Sequence, residues 1–295
     1  MNSSPASILS QFPSLDAIAK AFITCRVNED LSQANLLHIH LCALGLETHQ
    51  SLGNHVVPLL AVCGNLHSAQ QAFNKLVYAN SHSWTSLVQG YARSGHLEHA
   101  LHIHECMQND DGFPPNRHTF LALLKACISL SQLEYGRKLH SAIVVEDLLS
   151  DLYVVHMLVD MYAKHGFLVE SRDVFNELKE ECRNVVAWSA LIGGYAEYGP
   201  YEEAIECLET MKSEGIQLNS FTFVATLKAC CALGYLEKGR EIHTETVVKG
   251  FDVDVFIANT LIDLYATCSS ILEAETVFDG MADRDIVSWN ALIGG

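Results

Sequence analysis

The sequence predicts an all-α protein, a right-handed α-solenoid of stacked helix–turn–helix hairpins, and three observations predict it. The three tryptophans, Trp84, Trp188 and Trp289, stand 104 and 101 residues apart in similar company. Three unrelated strings return at one common offset of 103 residues: Lys125-Ala126-Cys127 as Lys228-Ala229-Cys230, Gly136-Arg137-Lys138-Leu139-His140 as Gly239-Arg240-Glu241-Ile242-His243, and Asp160-Met161-Tyr162-Ala163 as Asp263-Leu264-Tyr265-Ala266. Inside each period, apolar residues keep a helical beat that glycine interrupts, which divides the period into three hairpins. One hairpin cannot bury both helix faces alone, but stacked neighbours share a continuous core. The first helices are expected to line one concave surface.

Taken in order, residues 1–14 are Ser-rich and carry no charged residue. They read as an unstructured N-terminal segment, a poor signal peptide and at most the remnant of an organelle transit peptide. Hairpin 15–49 has Cys25 at its eleventh place, a slot that Cys127 fills in 117–151 and Cys230 in 220–254. His38, His140 and His243 likewise share the twenty-fourth place of these three. Hairpin 50–80 breaks at Gly64, and Cys63 holds its fourteenth place as Cys268 does in 255–285. A recurring slot in a repeated hairpin implies recurring packing space for a small apolar side chain, not chemistry.

In 81–116 the break is Gly95, and Leu97, Ala100, Leu101, His104 and Met107 form the apolar face of the second helix. In 152–184, Leu158, Val159, Tyr162 and Ala163 precede Gly166, and Leu168, Val174, Phe175 and Leu178 follow it. In 185–219, Trp188, Leu191, Ile192, Tyr195 and Ala196 fall at i, i+3, i+4, i+7 and i+8 before Gly199, and Gly215 ends the second helix. Gly250 plays that part in 220–254. Residues 286–295 make a partial ninth unit that leaves Trp289, Leu292 and Ile293 without a covering helix, so the chain reads as a fragment cut inside a repeat.

Composition narrows the function. The 295 residues are 49% hydrophobic, enough apolar surface to exclude a disordered or fibrous chain. No apolar run approaches the ~20 residues of a membrane helix, so no membrane partner is expected. The ten cysteines include no Cys-x-x-Cys pair and suggest a reducing compartment. Eighteen Lys and Arg stand against 35 Asp and Glu, a net charge of −17, the wrong sign for nucleic-acid binding by bulk charge alone.

The strings Ile286-Val287-Ser288-Trp289-Asn290-Ala291-Leu292-Ile293, Leu123-Leu124-Lys125-Ala126-Cys127 and Val255-Phe256-Ile257-Ala258-Asn259-Thr260-Leu261-Ile262-Asp263 resemble the P, L and S variants of the pentatricopeptide repeat (PPR) family. The resemblance runs from Leu15 to the end, with hairpins 15–49, 50–80, 81–116, 117–151, 152–184, 185–219, 220–254 and 255–285 in the order L, S, P, L, S, P, L, S. Alternating lengths resemble the plant PLS subclass. The tetratricopeptide repeat is the nearest competitor, but its Trp-x-x-Leu-Gly-x-x-Tyr pattern is missing from this sequence and its period would not alternate.

What the resemblance implies is single-stranded organellar RNA bound at one base per repeat, read by the fifth and last residues of each unit. Carried over, these are Asn54 with Asn80, Thr85 with Asn116, His156 with Asn184, Ser189 with Asn219, and Asn259 with Asp285. The L units offer Ala19 with His49, Leu121 with Asp151 and Val224 with Asp254, whose apolar fifth residue cannot read a base edge. The family pattern then implies a target C-A-N-N-A-N-U. Second-place residues His82, His118, Tyr153, Val186, Phe221 and Phe256 would sandwich the bases, and Arg93 and Lys164 lie where the family approaches phosphate. An extra residue around Asp110–Gly112 and two before Asn184 open the chance of register slips at those last positions.

Catalysis is not expected. His96-x-Glu98 and His243-x-Glu245 match half of a zinc-deaminase signature, but no Cys-x-x-Cys follows. His96, His99, His102 and His104 lie on one helix with no further ligand marked, so no metal and no cofactor is expected. There is no phosphate loop and no nucleophile elbow. The expectation is a non-enzymatic chloroplast or mitochondrial RNA binder that specifies sites for C-to-U editing or other transcript processing, with the deaminase C-terminal to this chain or supplied in trans. The subclass implies accessory editing-factor proteins as partners. The alternative is a protein–protein scaffold that takes a peptide in its groove, a basic one if the acidic balance is used.

Overall fold

The structure is a computed structural model that describes residues 15–46, 49–109 and 114–294. The segment 1–14 and the extra residue around Asp110–Gly112 lie outside the described residues. Seventeen α-helices follow in order among the described residues: α1 (Leu15–Asn28), α2 (Leu31–Ala43), α3 (Gln50–Val62), α4 (Leu66–Asn74), α5 (Ser81–Arg93), α6 (Leu97–Asn109), α7 (Arg117–Ser129), α8 (Leu133–Val145), α9 (Leu152–Lys164), α10 (Leu168–Asn176), α11 (Val185–Tyr198), α12 (Tyr201–Ser213), α13 (Ser220–Leu233), α14 (Leu236–Val248), α15 (Val255–Thr267), α16 (Ile271–Gly280) and α17 (Ile286–Gly294). No strand occurs among the described residues, and the protein is an all-α helical repeat solenoid. No described helix is long and apolar enough to cross a membrane.

The helices alternate between two layers, in each of two compact units that meet in the chain at Val154 and Val155. In the first unit α1, α3, α5 and α7 pack each on the next, while α2, α4 and α6 touch the first helices before and after them. In the second unit α11, α13, α15 and α17 make the continuous layer, and α10, α12, α14 and α16 pack onto it. A first helix therefore needs apolar surface towards both neighbours and its own partner. This explains why α11 is almost wholly hydrophobic and why its Trp188, Leu191 and Ile192 are at most 1% exposed.

The hairpin turns share a positive φ, though Gly199 with ψ of 172° departs from the left-handed helical ψ of 28° at Gly234. The fifteenth residue of every hairpin has positive φ: Gly64, Gly95, Gly166, Gly199 and Gly234 at 65–85°, and Glu29, Ser131 and Ser269 at 49–60°. This left-handed residue ends the first helix and turns the chain into the second. Where an L side chain takes the position, the turn is strained by about 1–2 kcal/mol.

Packing between hairpins also repeats. Trp84, Trp188 and Trp289 meet Phe73, Phe175 and Phe278 of the preceding second helix edge-to-face, with ring centroids 4.5, 4.5 and 4.7 Å apart. Each such pair adds about 0.5–1.5 kcal/mol beyond its buried area. Around the middle one, Trp188 Nε1 donates to Glu214 Oε2 at 2.9 Å, Glu214 pairs with Arg183 at 3.3 Å, and Arg183 lies over the Phe175 ring. Gly194, at the tenth place of its hairpin, allows the preceding hairpin to approach: a Cβ there would meet Ala163 and Leu168 at 2.8 Å. Cys25, Cys127 and Cys230 are fully buried, and burial pushes their thiols up to about 11, 12 and 12. Such thiols stay protonated and behave as small apolar side chains.

Candidate nucleic-acid interface

The last residue of one hairpin is the N-cap of the next first helix. Asn80, Asn116, Asn184 and Asn219 hold extended backbone there and accept backbone N–H bonds from the opening turns of α5, α7, α11 and α13. Asp151, Asp254 and Asp285 do the same for α9, α15 and α17. Their short side-chain acceptors suit a cap whichever ligand the protein takes. The capping oxygen occupies one end of the side chain, and the other end remains to reach the fifth residue of the preceding first helix.

Four of the five expected pairs are in contact, two of them through the free Nδ2 of the cap. Asn116 Nδ2 donates to Thr85 Oγ1 at 3.1 Å, and Asn219 Nδ2 approaches Ser189 Oγ at 3.4 Å. Asn259 Nδ2 donates to Asp285 Oδ1 at 3.2 Å. Asn54 and Asn80 meet differently, through the Asn80 backbone N–H, which donates to Asn54 Oδ1 at 3.0 Å. Asn54 also takes the Ser83 hydroxyl at 2.7 Å and gives its Nδ2 to the Tyr78 carbonyl at 3.1 Å, so its amide stitches α3 to α5. The fifth pair stays apart: His156 is buried, while Asn184 is exposed and serves only as a cap. Burial holds the His156 imidazole below its ordinary pKa, which keeps it neutral.

Within the four couples that meet, one buried polar atom has no partner among the described residues. Asn259 Oδ1 is buried beside the Asp285 cap and accepts from no donor. A buried acceptor left empty costs free energy unless a ligand supplies an N–H or O–H. The Asp285 carboxyl is held below the usual carboxylate range, first by the Ser288 backbone N–H it accepts, so it stays ionised.

The second-place side chains stand clear of the core. Tyr153, Val186, Phe221 and Phe256 are between 55 and 76% exposed, and His82 and His118 are exposed as well. Apolar rings left in water on regularly spaced helices are the kind of surface on which planar groups stack. The Phe221 ring leans back over Gly193, where a Cβ would lie 2.9 Å from it, and Arg117 stacks 5.6 Å above Tyr153.

Charge is divided between the layers. The nine first helices carry seven Lys and Arg against four Asp and Glu, whereas the eight second helices carry six against fifteen. On the second helices of the second unit the cations are largely neutralised: Lys212 pairs with Glu209 and Glu245, Lys238 with Glu209 and Glu241, and Arg240 with Glu237 and Glu273. The net charge of −17 thus belongs to the second helices and the connections. No group of three His, Cys, Asp or Glu side chains among the described residues could hold a metal.

Comparison with known proteins places these features. The PPR repeat family model matches residues 79–129 and 183–232, and the PPR repeat model matches 153–182 and 256–286. A pentatricopeptide repeat-containing protein of Arabidopsis thaliana is 35% identical over 251 residues, 85% of this chain and 34% of the relative. An Arabidopsis relative named mitochondrial is 32% identical, covering 96% of this chain and 44% of its own length. One named chloroplastic is 34% identical over 85% and 42%. The chain thus spans less than half the length of these relatives. Among solved structures, the pentatricopeptide repeat protein PPR10 in complex with an 18-nt psaJ RNA element superposes with a TM-score of 0.74 at 19% identity, over 89% of this chain and 40% of that one.

Proposed function

The chain belongs to the PPR repeat family, and from that premise we propose that it binds single-stranded RNA along its first-helix layer, one base per hairpin, without catalysing a reaction of its own. The observation that carries the reading is the row of hydrogen-bonded couples formed by a fifth residue and the cap of the next helix: Asn54 with Asn80, Thr85 with Asn116, Ser189 with Asn219, and Asn259 with Asp285. Each couple fixes a donor or an acceptor at the same place of its hairpin, on α3, α5, α11 and α15, as a sequence reader requires. The unpartnered Asn259 Oδ1 supports uracil opposite that hairpin, because the N3–H of uracil supplies the missing donor. His156 reads no edge in this scheme unless the RNA brings Asn184 to it.

The target is C-A-N-N-A-N-U, with bases held between second-place side chains such as Tyr153, Val186, Phe221 and Phe256. Second helices of 9, 9 and 10 residues in hairpins 50–80, 152–184 and 255–285, against 13 elsewhere, support the PLS subclass. That subclass points to marking cytidines for editing in an organelle, with accessory proteins completing the assembly. The mitochondrial and chloroplastic names of relatives favour an organelle without choosing one. In-vitro selection from a random RNA pool is the test. Enrichment of A at the second and fifth positions and U at the seventh is expected; no enrichment, or equal binding to a basic peptide, overturns the reading.

A further inference from the structure

Gly193 stands in the interior of α11, where glycine is the least favourable residue after proline. Its neighbour Gly194 is explained by packing, since a Cβ there would run into Ala163 and Leu168 of the preceding hairpin. Gly193 has no such reason. Its φ is not positive, and a Cβ on it would meet one ring alone, that of Phe221, with Cζ at 2.9 Å and Cε1 at 3.0 Å. No further neighbouring atom lies within 4 Å. A ring lying flat on the backbone would bring more of its atoms that close. Phe221 therefore reaches α11 by one edge, and both of its faces stay clear of that backbone. The ring also borders a groove of about 270 Å³ between α9 and α11, so space alone does not fix its direction. Of the eight complete hairpins, 185–219 alone has glycine at the ninth place; 81–116, 117–151 and 152–184 carry Gln89, Lys125 and Asp160 there. The ninth place faces the second residue of the next hairpin elsewhere too, since Gln89 donates to the His118 carbonyl at 3.4 Å.

We infer that Gly193 is a positioning residue for RNA: it seats the edge of Phe221 so that the ring stands between the fifth and sixth bases with one face towards each. The inference rests on the RNA-binding reading and deepens it. Gly193 lies one helical turn beyond Ser189 on the same face of α11, which puts the seat beside the couple of Ser189 and Asn219. A ring already held in place loses less freedom when the bases arrive. The glycine itself touches no RNA. It lowers the intrinsic stability of α11 and acts only through Phe221.

The test is binding of the 295-residue chain to an RNA oligonucleotide carrying C-A-N-N-A-N-U, alongside thermal melts. Gly193→Ala should raise the melting temperature, because alanine favours the helix and the exposed ring tip can yield to the new methyl group. The same variant should bind RNA about threefold more weakly, a part of what base–aromatic stacking supplies. Phe221→Ala should weaken binding about fivefold or more, and the double variant no further than Phe221→Ala alone. On an oligonucleotide with abasic ribose at the fifth and sixth positions, wild type and Gly193→Ala should bind equally. Gly280→Ala, where a Cβ meets nothing, is the control and should leave binding alone. Wild-type affinity in Gly193→Ala overturns the seat while leaving the RNA reading intact. So does a loss that persists on the abasic strand, a loss in the double variant beyond that of Phe221→Ala, or a fall in melting temperature alongside the loss. Failure of the wild type to bind any RNA overturns the function reading, and the seat with it.

Discussion

Asn116 Nδ2 donates to Thr85 Oγ1 at 3.1 Å, while Asn116 Oδ1 accepts the N–H groups of His118 and Thr119 that open α7. One side chain therefore ends a hairpin, starts the next helix and fixes the orientation of a hydroxyl on the helix before it. Thr119 closes the cluster, its Oγ1 lying 3.2 Å from that of Thr85. In the proposed reading stability and recognition share atoms at this point, and substitutions that separate them are informative.

Asn116→Asp should do so. Aspartate caps as well as asparagine, so the melting temperature should hold, within about 0.5 kcal/mol of stability. The Nδ2 donor is lost, and with it the preference for adenine at the second base. Asn116→Ala removes both functions and should cost about 1 kcal/mol as well. Paired melts and RNA competition assays measure the two effects independently; an Asp variant that keeps its base preference would show that Nδ2 takes no part in reading.

Asn54 and Ser189 occupy the same place in their hairpins but not the same environment. Asn54 is buried with three strong bonds to Tyr78, Asn80 and Ser83, whereas the Ser189 hydroxyl is half-buried with one long contact. Removing a buried partner leaves its mates unsatisfied, so Asn54→Ala should cost roughly 2–3 kcal/mol in urea denaturation. Ser189→Ala should cost under about 0.5 kcal/mol and alter binding at the fifth base alone. Equal stability losses would contradict the distinction drawn from burial.

That difference marks the limit of what is legible in the sequence. The beat of Trp188, Leu191, Ile192 and Tyr195 is legible because burial of a helix face imposes it, and the structure buries those four. The pairing of Thr85 with Asn116 is what the family resemblance implies for the fifth and last places of a unit, and the two side chains meet at 3.1 Å. His156 fails at the same place because its larger ring turns into the core, where burial outweighs any reach to Asn184. The layer-by-layer division of charge also escapes a linear reading: a net charge has no direction until first and second helices are assigned to opposite layers.

The fifteenth-place turn yields a stability prediction free of binding. Ser269 holds φ of 60° between α15 and α16, where five other hairpins use glycine. Ser269→Gly relieves left-handed strain of about 1–2 kcal/mol but adds unfolded-chain entropy of about 0.4–1, a net gain of roughly 0.5 kcal/mol. Gly95→Ala, at φ of 79°, should lose about 1 kcal/mol for the same reason. Differential scanning of the two variants should move the melting temperature in opposite directions. A Ser269→Gly variant that melts lower would mean the serine side chain contributes a bond that outweighs the strain.

Acidification should destabilise the protein before its carboxylates protonate. His104, edge-on to Phe120 at 5.5 Å, and His156 are both buried, and each leaves Nε2 without a partner among the described residues. Burial is the main cause that lowers both pKa values in the folded chain. The unfolded chain therefore binds protons more readily, starting near the ordinary value of about 6.5. Stability from the neutral rings is complete above that pH and falls as pH drops through about 6.5 towards the lower native values, by at most about 1.4 kcal/mol per pH unit for each histidine. Glu209, Glu273 and Asp285 have pKa values below the usual carboxylate range and add their losses only in stronger acid, so the interval from about pH 7 to pH 5 isolates the histidines. Urea midpoints across that interval should decline in the wild type and decline less steeply in a His104→Leu, His156→Leu double variant, where His82 and His243, also held low by burial, still contribute. A double variant that declines as steeply as the wild type would place the acid sensitivity in other groups.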